Sequence, residues 1–179
     1  MFLKALKEKL KHKSGQKYVK QLLANPERSS RPGKGGVLSI GCIVDLDKFD
    51  NTNVFYELVD EFSLRPNSVK IIGYKNFYDK NSPYSTPVFS DKDLGWNGNL
   101  ENSYVLEFIN KEYDLLINYY TDDNLLLQLM SVKTKARLRV GFYEVDKDFN
   151  DLIINTPITD FALFKEELKK YLKILKEVR

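Results

Sequence analysis

The chain has 179 residues, 42% of them apolar and 13% aromatic, with 28 Lys and Arg against 25 Asp and Glu. That length and apolar content support a folded domain with a sizeable core and exclude wholesale disorder. One cysteine, Cys42, excludes an internal disulfide framework; with one histidine, His12, the chain lacks the partners for a Cys–His dyad, a His-based triad or a His/Cys zinc site.

The charge is divided unevenly along the chain. Met1 to Lys34 carries ten basic residues against two acids, Glu8 and Glu27, whereas Gly35 to Arg179 carries 18 basic against 23 acidic. This predicts a basic helical arm over 1–34 that seeks a polyanion, and a single α/β domain over 35–179. No stretch approaches the ~20 apolar residues of a membrane span. The start, MFLKALKEKLKHK, alternates leucine with lysine and lacks the continuous apolar segment of a secretory signal. The expected location is cytoplasmic.

In the arm, Phe2, Leu3, Leu6 and Leu10 recur at helical spacing among lysines. Gly15 is expected to interrupt that helix, and Gln16 to Ala24 to resume it with Val19, Leu22 and Leu23 turned inward, before Asn25-Pro26 stops it. NPERSSRPGKGG, 25–36, reads as a linker. Its Gly33-Lys34-Gly35-Gly36 is no phosphate loop, because a strand follows it rather than precedes it and no Ser or Thr follows the lysine.

VLSIGCIV, 37–44, is an apolar, β-branched run predicting a buried first strand. NTNVFYELVDEFSL, 51–64, predicts a helix with Val54, Leu58 and Phe62 on one face, and VKIIGY, 69–74, a second strand. Together they form a βαβ unit with a right-handed crossover and parallel pairing. Residues 75–99 show little periodicity. Beyond them the pattern predicts a short helix at 101–109, a strand at 113–120 (YDLLINYY) and a helix at 123–131. It then predicts strands at 136–142 (ARLRVGF) and 152–155 (LIIN). A long closing helix is expected, N-capped by Thr156 before Pro157, with Phe161, Phe164, Leu168, Tyr171, Leu172, Leu175 and Val178 in one stripe. The expected architecture is a three-layer α/β fold with a mostly parallel sheet of about five strands.

The arm offers Lys4, Lys7, Lys9, Lys11, Lys13, Lys17, Lys20, Arg28, Arg31 and Lys34 for RNA phosphates, each contact releasing counterions. An anionic membrane surface is a weaker alternative, and a protein partner a third. Tyr74, Phe77, Tyr78 and Tyr84 among Lys75 and Lys80, with Trp96 nearby, have the make-up of a base-stacking surface or of a long loop packed on its domain. Lys135, Arg137 and Arg139 alternate onto one face of a strand, expected to be solvated.

A second candidate is acidic. Asp45, Asp47 and Asp50 follow the first strand and Asp122 and Asp123 follow the YDLLINYY strand. If those strands are neighbours, Asp45, Asp47, Asp122 and Asp123 converge where α/β folds bind ligands, with donors that suit Mg²⁺. The arrangement resembles haloacid-dehalogenase phosphatases, which implies Asp45 as nucleophile, Asp47 as acid/base and Asp122 or Asp123 as metal ligand. The chain departs from that pattern with Phe49 where the family has threonine, and with Gly73-Tyr74-Lys75 where it has a phosphate-binding hydroxyl. The alternative is that these acids end a strand and cap the next helix.

Two further resemblances concern the body. FSDKDLGWNGN (89–99) and YDLLINYYTDDN, KARLRVGF and DLIIN are similar to a family of small uncharacterised cytoplasmic proteins of Bacteroidota, which implies a fold and no activity. YDLLINYY through LRVGF resembles part of the N-terminal domain of heptosyltransferase-type glycosyltransferases, which implies a Rossmann/flavodoxin-like sheet. The function expected from all of this is a non-catalytic adaptor that engages RNA or a ribonucleoprotein through the basic arm. A Mg²⁺-dependent phosphoryl-transfer enzyme and a structural subunit are the alternatives.

Overall fold

The apolar run after the linker becomes the centre of a sheet. In the computed structural model, which describes residues 2–24, 36–77, 79 and 84–178, six strands are found: β1 Ile40–Asp45, β2 Val69–Tyr74, β3 Val88–Phe89, β4 Glu112–Tyr119, β5 Lys135–Phe142 and β6 Leu152–Ile154. The helices are α1 Phe2–Ala24, α2 Glu57–Glu61 (entered through a 3-10 turn, Thr52–Tyr56), α3 Ser103–Ile109, α4 Leu125–Lys133 and α5 Phe161–Ile174. The strands pair in the order β3-β2-β1-β4-β5-β6, all parallel. Ile40 lies opposite Val69 on one side and Leu115 on the other, so β1 and β4 flank the point where the strand order reverses.

Alternation along the strands feeds two cores. Ile43, Ile72 and Leu116 pack under α3 and α4 with Val105, Phe108, Leu127 and Leu129. Cys42, Val44 and Ile117 pack on the other face under α2 and α5 with Leu58, Phe164 and Leu168. Burial pushes the Cys42 thiol pKa far up, leaving it an inert apolar filler. Tyr119 centres the second core, its ring 5.0 Å from Phe55 and 4.9 Å from Phe142 in edge-to-face contact. Its buried hydroxyl donates to the Ile158 carbonyl at 2.7 Å.

The α/β layering matches the sequence reading, with corrections. The sheet has six strands and is wholly parallel; the extra strand, β3, occupies two residues of the irregular stretch 75–99. Two residues carry no periodicity to read. α1 runs unbroken through Gly15, which sits where α1 meets α4: a built Cβ lies 3.1 Å from Leu125 Cδ2. Val19 is buried in the first core with Tyr18, Leu22 and Leu23 against it, so the second half of α1 is part of the domain's packing. The expected boundary near residue 34 falls outside the described residues.

The closing helix starts later than Thr156-Pro157 indicates. Asp160 caps it, accepting from the Leu163 amide at 3.0 Å, while Thr156 is buried ahead of it. The helix expected over 51–64 is a 3-10 turn and five α-helical residues. Arg137 and Arg139 are not solvated: Arg139 is 6% exposed, and Arg137 grips Glu177 through two hydrogen bonds of 2.5 and 2.6 Å.

Candidate functional site

The carboxyl ends of β1 and β4 meet at the strand-order reversal, where open α/β sheets bind ligands. Asp45 ends β1 with its side chain buried and Oδ1 accepting from the Asp47 amide at 3.0 Å. The backbone turns over it at once, Phe49 N donating to the Asp45 carbonyl at 2.9 Å. Desolvation holds the Asp45 carboxyl above the usual aspartate range, the charges of Asp47 and Asp122 adding to it and the Asp47 amide and Lys48 opposing it.

The neighbouring acids are taken up by cations and amides. Asp47 accepts from the Asn76 amide at 2.8 Å and lies 3.6 Å from Lys75 Nζ. Lys48 reaches across to Asp122 at 2.9 Å, and that hydrogen bond raises the Lys48 pKa. Asp123 accepts from the Gln128 side chain. Asn124, not an acid, caps α4, its side chain accepting from the amides of Leu126 and Leu127 at 2.9 and 3.2 Å. Phe49, in the threonine position of the phosphatase pattern, joins the aromatic cluster edge-on to Tyr119, the ring centroids 5.0 Å apart.

Asp45, Asp47 and Asp122 are thus neighbours, as adjacency of β1 and β4 demands. Among the described residues, however, no group of three or more His, Cys, Asp or Glu side chains is placed to hold a metal ion. The geometry is that of a strand end closed by a turn and two ion pairs.

The second candidate, α1, spans about 35 Å at 1.5 Å per residue. Its second half is anchored: Tyr18 packs on Gly98 and receives the Lys133 ammonium 4.3 Å from its ring centroid. Ser14 Oγ accepts from the Asn97 amide at 3.2 Å, and Lys11 Nζ donates to the Leu94 carbonyl at 3.1 Å. Lys20 lines a hollow of about 580 Å³ that also contains Asp123, Asp146 and Asp148. Lys4, Lys7, Lys9, Lys13 and Lys17 are exposed. Arg28, Arg31 and Lys34 lie outside the described residues, as do Tyr78 and Lys80 of the aromatic loop.

A feature unread in the sequence is that α1 has two apolar sides. At about 100° per residue, Leu3, Leu6 and Leu10 fall within an arc of about 60°, roughly 140° around the helix from the docked side formed by Gly15, Tyr18, Val19 and Leu22. They are 79%, 44% and 48% exposed, so the first half of α1 presents an uncovered leucine stripe among its lysines.

Fold and site together define a doubly wound, all-parallel α/β domain with a closed carboxyl edge and a cationic helix on its flank. The chain belongs to a family of unknown function (DUF6913), whose model matches residues 11–175. This agrees with the expectation of an uncharacterised family. No curated protein and no solved structure matches the chain. No described helix is long and apolar enough to cross a membrane.

Proposed function

We propose that the protein is a non-catalytic adaptor that engages a ribonucleoprotein through the exposed lysines of α1. The observation that carries this reading is the exposure of Lys4, Lys7, Lys9, Lys13 and Lys17 on a helix whose far end is fastened to an acidic body. Cations held on a helix neutralise phosphates without the ordering cost of a flexible tail. The exposed Leu3, Leu6 and Leu10 favour a ribonucleoprotein over bare RNA, since an apolar stripe needs a protein surface while the lysines need phosphate. The acids at the carboxyl edge are already engaged by Lys48, Lys75 and backbone amides, which favours α1 over phosphoryl transfer as the working part.

Salt-dependent binding tests this. Single-stranded RNA contributes about 0.7 to the log–log salt slope per phosphate neutralised, so five lysines give a slope of up to about 3.5. Fluorescence anisotropy should show that slope collapsing when the five lysines become glutamine. Replacing Leu3, Leu6 and Leu10 by serine should leave RNA binding intact but reduce co-sedimentation with ribonucleoprotein particles. Equal RNA binding by the lysine variant, or binding of anionic vesicles in place of RNA, refutes the reading.

A further inference from the structure

A cavity of about 540 Å³ opens beside the edge strand β3, between the chain around residue 84 and the first turn of α3. Its volume is that of a small-ligand or side-chain pocket, about 300–1,000 Å³. Two tyrosines line it, Tyr84 and Tyr104, 39% and 56% exposed, so both offer ring surface to a visitor. Two carboxylates line it as well, Asp93 and Glu101, and among the described residues no lysine or arginine does.

These groups are not equivalent. Asp93 is buried, with Oδ2 accepting from the Ser90 amide at 2.8 Å. Asn102 is committed to the frame: Oδ1 caps α3 at the Tyr104 and Val105 amides, and Nδ2 donates to the Val88 carbonyl at 3.2 Å. Glu101 is exposed, held by its backbone amide on the Asp93 carbonyl at 2.7 Å, and its side chain reaches over Gly95. The cavity therefore offers one accessible carboxylate beside two aromatic rings in a negative field.

From this geometry we infer that the cavity binds an arginine side chain of a basic peptide. A guanidinium is planar and stacks on a tyrosine face, carries the charge the field attracts, and pairs with a carboxylate through two parallel N–H donors. A phosphate-bearing ligand meets repulsion from Asp93 and Glu101. The inference extends the ribonucleoprotein reading, since such particles pair basic protein segments with RNA, but it rests on separate residues. The segment that lines the cavity with Asp93 and Glu101 also anchors α1 through the Leu94 carbonyl and the Asn97 amide, so the two surfaces adjoin.

The test is a titration of the full chain with a short capped peptide carrying one arginine, followed by NMR of isotope-labelled tyrosine rings. The Tyr84 and Tyr104 signals should shift in a saturable manner, and the same peptide carrying citrulline, neutral and nearly isosteric, should bind about tenfold or more weakly. Glu101→Gln should cost a similar factor and Tyr104→Ala about threefold; both positions are exposed, so the fold is retained. The variant with five α1 lysines changed to glutamine should bind the peptide like the parent, which separates this result from that of the RNA assay. Equal binding of citrulline or lysine peptides, an unaffected Glu101→Gln variant, or preferential saturation of the cavity by guanosine would each overturn the assignment.

Discussion

Replacing Val19 by alanine measures whether α1 belongs to the folded domain. Val19 is 4% exposed and lies in the first core, on the helix that packs against α4. Its truncation removes two methyl groups, each worth about 0.8 kcal/mol of transfer free energy. The unfilled space adds a cavity term, which brings the expected loss to about 2 kcal/mol. Leu6→Ala is the internal control: Leu6 sits on the same helix but is 44% exposed, so its truncation should change stability by no more than about 0.5 kcal/mol. Urea unfolding followed by far-UV circular dichroism and by Trp96 fluorescence gives both values. The midpoint should fall for Val19→Ala at unchanged slope, the two probes coinciding. Equal, small effects at positions 19 and 6, or a transition at Trp96 that ignores the Val19 change, would refute the docking of α1.

Two further perturbations address the closed edge and the opposite end of the sheet. Asp45 titrates above the roughly 3.9 of an unfolded aspartate because it is desolvated, so the folded state holds its proton more tightly than the unfolded one. That stabilisation is present at acid pH and is lost as pH rises through the folded pKa. The stability of Asp45→Asn relative to the parent should therefore climb with pH from about 4 and then level off, and a difference that stays flat in urea titrations across pH would contradict the burial argument. Glu177→Gln should cost about 1–3 kcal/mol, since it removes the charge that Arg137 grips and leaves it only Asp114 at 3.8 Å. A loss that disappears on comparing the two proteins in high salt would mean the pair acts as an ordinary surface contact.

Strands were legible wherever apolar residues ran together or alternated: VKIIGY coincides with β2, and β1, β4, β5 and β6 lie within three residues of the expected limits at each end. Adjacency of β1 and β4 entered only as a condition of the acidic candidate; the sheet meets that condition and brings Asp45 and Asp122 to the same edge. What periodicity cannot carry is pairing at a distance. Lys48 and Lys75 neutralise the edge acids from separate turns, and Arg137 finds Glu177 forty residues away. Intrinsic propensity makes a mid-helix glycine a break, at a cost of about 1 kcal/mol; the packing of Tyr18, Val19, Leu22 and Leu23 beyond it favours the continuous helix. The cavity escaped because Tyr84 lies 17 positions before Glu101, with Tyr104 beyond it, and only the fold brings the two stretches together.

The charge division takes a different form once α1 is fastened down. A cationic tail tethered by a linker would search for any polyanion, whereas a docked helix presents its lysines at fixed spacing and its leucines on a fixed side. The short 3-10 turns Asp91–Asp93 and Trp96–Gly98 stand between this helix and the tyrosine-lined cavity, giving the Leu94 carbonyl and Asn97 amide to α1 and Asp93 to the cavity. On the proposed reading, surfaces of opposite sign joined by one segment select a partner that is itself mixed in charge. RNA alone satisfies the helix and leaves the cavity unpaired; a basic peptide alone satisfies the cavity and leaves the lysines unpaired. On the proposed reading, only an assembly bearing phosphate and arginine at neighbouring positions engages both, so separate changes at α1 and at Glu101 should each weaken particle binding, while RNA alone responds to the first and the peptide alone to the second.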